Sequence, residues 1–298
     1  MAAATPGLPL VGNLAGRELD LSEAIELLVL GAYADRAVCR LLDTGEVLDL
    51  RAVRVSELVP GEVITVAGEN VAGGPEGRTL SGAVTSSRLD LRAAELPLLA
   101  LESFWDWDPA DHYWGEEDEP IPAWAEPIIR AGVRPCFEMQ QIRPGRDPRS
   151  GSDLIYAALD LRRAGDPRAA RALLMDALVL DVRALDAHAN LGYFLFDRDP
   201  ERCARHCEVG VRIGEQALGP GFEGVLPWGL IDNRGFLRCL HGLALCLWRL
   251  GRGDEAGGVL VRMLALNPTD NQGARFLLPA VRRGATWTPD GPLDEGGS

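Results

Sequence analysis

Lysine is absent from this chain of 298 residues, so all 30 of its basic residues are arginine. Without lysine the protein has no Walker-A residue to hold a nucleotide phosphate and no side-chain amine for a Schiff base with a carbonyl or with pyridoxal phosphate. The lysine that protein kinases place on ATP phosphates is missing as well. The sequence therefore excludes three large classes of enzyme chemistry.

Positive charge is also scarce, because 44 acidic residues against 30 arginines leave a net charge of −14. Nucleic-acid binding needs clustered cationic side chains, and an acidic balance of this size argues against it. Apolar runs such as "AIELLVLGAY" are far shorter than the roughly 20 residues that a membrane span needs. The N-terminus lacks the basic and apolar regions of a secretory signal. We therefore expect a cytoplasmic protein that binds neither nucleic acid nor membrane.

Motifs for metal ligands and nucleophiles are missing too, since the sequence contains no CxxC, HExxH, zinc-finger or G-x-S-x-G spacing. The six cysteines do not make a disulfide framework in a chain of this length, and we expect them to be reduced, small and buried. A metal site remains an alternative at one place, because Cys203, His206 and Cys207 would share one face of a helix. Cys239 and Cys246 cannot both join it, since seven residues of helix separate them by about 10.5 Å. Packed cysteines are the preferred interpretation, and no metal or cofactor is predicted.

The first third of the chain has the pattern of a small β-rich module. Residues 1–20 are rich in glycine, alanine and proline and are predicted to be flexible. The next segment, "DLSEAIELLVLGAY", is predicted to be a short helix capped by Asp20 or Ser22. Short apolar runs separated by turn signals follow it, and Gly45 lies in a hairpin turn predicted between two of these runs. Four or five strands within about 60 residues predict a barrel of SH3-like size. The module with its leading helix is expected to span residues 21–100.

Residues 101–150 are predicted to be an acidic aromatic linker. Its first part, 102–119, contains eight carboxylates, five aromatic side chains and no arginine. A purely solvated linker would have few aromatic residues, so we expect this part to pack against another surface.

From residue 151 the hydrophobic period is helical and repeats every 34 residues, which is the period of tetratricopeptide (TPR) repeats. Small residues recur in this frame, at the points where paired helices would cross closely: Ala158 aligns with Gly192, Ala170 with Ala204, and Ala177 with Val211. The segments 151–184, 185–218 and 237–270 resemble three TPR units. The segment "TDNQGARFLLPAVRR" after them is predicted to be a capping helix.

This resemblance implies the fold class. We expect an α+β protein with a small N-terminal β-barrel-like module, followed by a C-terminal α-solenoid of about three TPR units over residues 151–284 and a flexible tail over 285–298. The phrases "DPADHYWGE", "LPWGLIDNRGFLRCLHG" and "LNPTDNQGARFLLP" are also similar to an uncharacterised bacterial group of TPR-containing cytoplasmic proteins. That group implies a scaffold and no particular reaction.

TPR arrays present one face of the first helix of each unit along a concave peptide-binding groove. Transferring that frame to this sequence gives mostly arginine and aromatic residues: Arg162, Arg163, Tyr193, Phe196, Asp197, Arg238, His241, Trp248 and Arg249. Arginines beside aromatic rings suit a carboxylate-bearing extended peptide, through forked hydrogen bonds and stacking. The resemblance therefore implies a protein–protein interaction scaffold with no catalytic residues. An equally weighted alternative is that these side chains pack against the N-terminal module or stabilise helix faces.

The expected partner is a protein or an acidic peptide, and the chain itself contains such a segment at 102–119. We hypothesise that this segment docks along the arginine-bearing surface, in the same chain or in a neighbouring protomer. The alternative function is a hydrolytic or metal-dependent enzyme whose acidic site would be formed by Asp106, Asp108, Asp111 and His112.

Overall fold

The computed structural model of the protein describes residues 19–74, 77–112, 114, 120–142 and 153–288. The chain divides into two compact units, Met1–Glu95 and Leu96–Ser298. The predicted flexible segment 1–20 lies outside the described residues except for its last two.

The first unit is a closed barrel of five strands: β1 (Ala24–Ala32), β2 (Ala37–Leu41), β3 (Val47–Arg51), β4 (Val63–Gly74) and β5 (Gly77–Arg88). The strand order is β1-β2-β3-β5-β4, with an antiparallel β1–β4 pair that closes the barrel and a parallel β3–β5 pair. This is a closed five-stranded barrel with one parallel strand pair. The prediction of a small N-terminal barrel is confirmed, and its fold alone assigns no ligand.

Turn residues place the strands as the sequence indicates. Gly45, in the predicted hairpin turn, has φ +74°, a backbone conformation that favours glycine, and its N–H donates to the carbonyl of Leu41. Gly61 has φ +93° and donates to the carbonyl of Val29, just before β4 begins. Both tight turns depend on glycine.

The predicted leading helix is wrong, because this segment is strand β1. Ile25, Leu27 and Val29 are buried at alternate positions, which is the period of a strand. Asp20 does not cap a helix; its carboxylate accepts hydrogen bonds from the backbone N–H and the hydroxyl of Ser22, at 2.9 and 2.6 Å. Such a side-chain turn competes with helix initiation and leads the chain into β1 instead.

The second unit begins with a two-stranded antiparallel sheet made of β6 (Leu101–Trp107) and β7 (Arg134–Met139), with the short helix α1 (Glu126–Arg130) between them. These elements lie within the segment 101–150 that was predicted to be a linker. The described part of that segment is therefore folded structure. Trp107 at the end of β6 is 6 % exposed, and the guanidinium of Arg134 lies 4.9 Å from the centre of a Trp107 ring.

Within the described residues 153–288 seven α-helices follow: α2 (Leu154–Arg163), α3 (Pro167–Leu180), α4 (Leu185–Leu195), α5 (Pro200–Leu218), α6 (Arg234–Arg249), α7 (Gly253–Leu266) and α8 (Ala274–Arg282). Asp166 and Asp199 cap α3 and α5, each followed by a proline whose missing N–H costs nothing in the first turn. Consecutive helices pack against one another, and α4 also packs against α6. The α+β class is confirmed, with α8 at the predicted capping helix.

Residues 219–233 form an insertion between α5 and α6, and this insertion joins the β6–β7 sheet to the helices. Val225 accepts a hydrogen bond from Phe137 N–H and donates to the carbonyl of Pro135, both at 2.9 Å. The buried amide of Asn233 accepts from Met139 N–H and donates to the carbonyls of Phe137 and Pro227. Because this side chain satisfies three backbone groups, the insertion fixes β7 against the helical part of the unit.

No helix in the described ranges is long and apolar enough to cross a membrane.

Candidate functional site

A cavity of about 400 Å³ opens between α2, α4, α5 and α6 in the second unit. Five of the predicted groove residues line it: Arg162, Tyr193, Phe196, Arg238 and His241. The remaining lining residues are Ala189, Asn190, Cys203, Cys207, Gly242, Leu245 and Gln272. The helical frame inferred from the sequence therefore brings side chains from three helices, α2, α4 and α6, to one concave surface.

Arg162 is the cationic group of the cavity that lacks a counter-charge. Its guanidinium lies 4.3 Å from the ring centre of Tyr193 and 4.7 Å from that of Phe194. Among the described residues it has no ion-pair partner, whereas its neighbour Arg163 pairs with Asp160 at 2.7 Å. Stacking on aromatic faces holds the guanidinium plane while leaving its N–H edges available to a bidentate acceptor.

Arg238 enters the cavity from α6 with a carboxylate already beside it. Its Nη1 lies 2.8 Å from Oδ1 of Asp186, and its guanidinium lies 5.5 Å from a ring centre of Trp228. The side-chain amide of Gln141 donates to the other oxygen of Asp186. Arg238 is 42 % exposed, so water screens this pair and N–H groups remain accessible.

His241 is half-buried in the cavity wall. Burial lowers its pKa from the usual value, and the carboxylate of Asp270 opposes that shift. The imidazole is therefore neutral near pH 7, when it can both donate and accept a hydrogen bond.

Four predicted groove residues do not line the cavity: Arg163, Asp197, Trp248 and Arg249. The indole of Trp248 is 5 % exposed and donates to the carbonyl of Ala285 at 2.6 Å, so it packs inside the unit. Arg249 pairs with Asp197 at 3.1 Å and lies 4.5 Å from a ring centre of Trp287. Arg163 points to solvent with Asp160. The 34-residue repeat placed these residues on the groove face. Its period could not show that residues later in the chain, Ala285 and Trp287, would contact Trp248 and Arg249.

The predicted flexible tail contributes to this packing. Trp287 contacts Phe196 edge to face, with 5.5 Å between ring centres. Residues 285–288 therefore belong to the folded unit, and residues 289–298 lie outside the described ones.

Two cysteines lie at the floor of the cavity, a placement that sequence reasoning missed. Cys203 and Cys207 are each 1 % exposed, and both border the cavity. A Cβ atom at Gly192 or Gly242 would lie 2.9 or 2.7 Å from Sγ of Cys207, so the two glycines keep the floor open. The sequence offered one signal for this placement: glycine and cysteine recur on the neighbouring helices, as at Gly192, Gly242 and Cys207.

The thiols of the floor interact closely. Sγ of Cys203 lies 2.6 Å from Sγ of Cys246 on α6, and both are free thiols. Hydrogen bonds from Cys207 and Cys246 lower the pKa of Cys203, the positive charge of Arg249 acts in the same direction, and burial opposes the shift. The hydrogen bonds with Cys203 raise the pKa of Cys207 and of Cys246. Cys203 is therefore the thiol of this cluster that loses its proton most readily.

His206 lies apart from these cysteines. Its ring faces His188 of α4 at 6.0 Å between centres, and Nδ1 of both histidines is buried without a hydrogen-bond partner in the described part of the chain. Within the same residues, no group of three histidine, cysteine, aspartate or glutamate side chains could hold a metal ion. The geometry does not bring Cys203, His206 and Cys207 together around an ion.

The acidic residues of the enzyme alternative lie outside this cavity. Asp106 pairs with Pro135 across the β6–β7 sheet, and Asp108 accepts a hydrogen bond from Ala110 N–H at 2.8 Å. His112 stacks on Trp107 at 4.9 Å. A second cavity of about 660 Å³, beside α8, is lined by none of these three and is bordered by Trp114, Trp124 and Phe276.

The described part of segment 102–119 has partners other than the arginines of the cavity. Glu102 accepts from Gln140, and Trp114 packs on Trp124 at 6.0 Å. Residue 113 and residues 115–119 lie outside the described part of the chain, so docking of that portion remains a hypothesis.

The cavity thus combines a stacked guanidinium without a counter-charge, a second accessible guanidinium, exposed aromatic faces and a neutral imidazole. These groups can bind a carboxylate and pack against apolar side chains next to it. The floor adds a reactive sulfur. Comparison with protein-family models, with curated proteins and with solved structures finds no match to this chain.

Proposed function

We propose that the second unit is a protein-interaction module that binds a carboxylate-bearing peptide segment in the cavity between α2, α4 and α6. The observation that carries this proposal is Arg162. Its guanidinium is stacked on two aromatic rings, lines a concave surface and has no ion-pair partner among the described residues. A partially buried cation of this kind gains a charge-assisted pair when a carboxylate enters.

We further propose that the helices form a TPR-like scaffold. Three helix pairs, α2–α3, α4–α5 and α6–α7, fall on the three segments that share the 34-residue frame, and α4 packs against α6. In such an arrangement the first helices of successive pairs line one face, which supports a peptide lying across α2, α4 and α6. The module would serve as an adaptor in the cytoplasm, with no reaction of its own at the groove.

The peptide is expected to be both acidic and aromatic. Tyr193 is 63 % exposed, and a ring in this position can pack against an aromatic or aliphatic side chain of the partner. The segment 102–119 has that composition, so a synthetic peptide of this sequence is a suitable probe. The peptide is acetylated at its N-terminus and amidated at its C-terminus, so that terminal charges do not contribute to the measured affinity.

The test compares Arg162→Gln with Arg163→Gln in the full chain. We expect Arg162→Gln to weaken binding of the 102–119 peptide about tenfold or more, because a charge-assisted hydrogen bond contributes about 1.5–3 kcal/mol. Arg163→Gln removes the same charge from the next residue and should change affinity less than about twofold, because Arg163 is exposed and paired.

Fluorescence anisotropy of the labelled peptide measures both variants. Equal losses in the two variants would show that binding responds to net charge and not to the cavity. No binding of the peptide by the wild-type chain, together with no binding of a peptide array of acidic and aromatic sequences, would overturn the proposal.

A further inference from the structure

The side of the cavity floor nearest α6 holds two sulfur atoms at an unusual separation. Sγ of Cys203 and Sγ of Cys246 are 2.6 Å apart, about half an ångström longer than a disulfide bond of about 2.05 Å. The two cysteines come from adjacent helices, α5 and α6, so a bond between them would join segments that are 43 residues apart in sequence.

Cys203 is the member of the pair that a small reagent can reach, because Cys246 is fully buried and does not line the cavity. Cys203 is 1 % exposed to bulk solvent but borders the cavity of about 400 Å³. Gly192 stands over this sulfur, since a Cβ atom there would lie 3.6 Å from Sγ of Cys203. A small neutral oxidant can therefore reach Cys203, whereas a bulky disulfide is hindered by the walls.

The electrostatics make Cys203 the nucleophile of the pair. Thiol hydrogen bonds from Cys207 and Cys246 and the nearby guanidinium of Arg249 lower the pKa of Cys203. The hydrogen bond with Cys203, burial and the charge of a Cys203 thiolate raise the pKa of Cys246, which keeps its proton until Cys203 has reacted. A reactive thiolate beside a protonated second thiol is the arrangement found in redox-sensing cysteine pairs.

We propose that Cys203 and Cys246 are a peroxide-reactive dithiol, in which Cys203 is oxidised first and Cys246 resolves it to a disulfide. In the first step the Cys203 thiolate attacks one oxygen of hydrogen peroxide; the S–O bond forms, the O–O bond breaks, and the hydroxide that leaves takes a proton to become water. In the second step Cys246 loses its proton and its sulfur attacks the Cys203 sulfenic acid. The S–S bond forms, the S–O bond breaks, and the sulfenic oxygen leaves as water.

The balance is two thiols and one peroxide giving one disulfide and two waters. The reaction does not require a peptide in the cavity, so it stands apart from the proposed binding function. The product ties α5 to α6 beneath the peptide surface and removes a negative charge from the cavity floor.

The experiment treats the reduced full-length protein with one equivalent of hydrogen peroxide and maps the peptides without reduction. We expect the wild-type chain to lose two of its six thiols and to yield a Cys203–Cys246 cross-linked peptide. Cys39→Ser is the control, because Cys39 is a buried cysteine of β2 in the first unit and its loss should leave that cross-link unchanged. Cys246→Ser should instead leave a sulfenic acid at Cys203 that dimedone traps.

The pH dependence gives a second readout that does not depend on any variant. Between pH 6.5 and 8 the oxidation rate of a thiol with a pKa of about 8.5 rises roughly twentyfold, whereas that of Cys203 should rise much less, because its pKa is lowered. The proposal fails if peroxide links other cysteines, if Cys39 or Cys136 is consumed as fast as Cys203, or if the Cys203 rate rises with pH like that of an ordinary thiol.

Discussion

Arg162 and Arg163 are adjacent residues of the same charge whose surroundings give them different roles. Arg162 stacks on Tyr193 and Phe194, and Arg163 pairs with Asp160 in solvent. The helical frame derived from the sequence selected both. It could not distinguish them, because a helical repeat predicts the helix face on which a residue lies but not which groups its guanidinium contacts. That partner depends on rings that another helix contributes.

His188 and His206 form the second residue-scale feature, a buried pair between α4 and α5. Burial lowers the pKa of His188 to about 4, although its Nε2–H donates to the carbonyl of Val182 at 2.8 Å. Burial also lowers the pKa of His206, and the positive charges of Arg171, Arg202 and Arg205 oppose its protonation further. Both imidazoles are neutral in the folded protein near pH 7.

This pair predicts a specific dependence of stability on pH. The pKa of each histidine is lower in the folded protein than in the unfolded chain. As pH falls from about 6.5 to 4, the unfolded chain therefore binds protons that the folded protein does not, and the free energy of unfolding should drop. The shift at His188 from 6.5 to about 4 corresponds to about 3 kcal/mol. His206→Leu should show a smaller drop than wild type, each relative to its own value at pH 8, by urea unfolding followed by circular dichroism. Identical pH slopes in the two proteins would contradict this account of the pair.

At the scale of elements, the wrong helix prediction for β1 is explained by the strands that pair with it. The segment of β1 has good helix-forming residues, including Glu26, Leu27 and Leu28, and an apparent cap at Ser22. It is a strand because β2 and β4 pair with it on both sides and bury its alternate residues. Such pairing is non-local and has no signature within the segment itself. The hairpin of β2 and β3, whose turn is local, was predicted correctly.

Glycines allow α5 and α6 to approach closely, and Gly214 makes the closest of these contacts. A Cβ atom at Gly214 would lie 2.2 Å from Cδ2 of Phe236, a ring that is fully buried. Gly214→Ala should therefore lower the free energy of unfolding by about 1–3 kcal/mol, since the ring has no space to move into. Gly258→Ala in α7 is the matched control, because no atom lies within 4 Å of its added Cβ.

The control should raise stability slightly, by up to about 1 kcal/mol, as alanine replaces glycine in an open helical position. Urea unfolding followed at the helical circular dichroism signal measures both variants. A Gly214→Ala protein as stable as the Gly258→Ala protein would mean that α5 and α6 are not packed as closely as described.

At the scale of the whole molecule, the sequence predicted the parts better than their boundaries. The barrel and the helices in the described residues 153–288 follow from turn chemistry and from hydrophobic periods of two and of 3.6, and five of the nine predicted groove residues line the cavity. The β6–β7 sheet was missed because its residues are acidic and aromatic and its packing relies on Asn233 and Val225, far along the chain. The convergence of thiols at the cavity floor was missed for the same reason.

The central claim is that the second unit binds a carboxylate of its partner through Arg162. A double-mutant cycle tests it most directly, with Arg162→Gln in the protein and single acid-to-amide changes along the 102–119 peptide. For at least one acidic position we expect a coupling energy of about 1–2 kcal/mol, because each change removes one side of the same charge-assisted pair. The parallel cycle with Arg163→Gln should give coupling near zero at every position. Coupling below about 0.3 kcal/mol for Arg162 at all positions would contradict the claim.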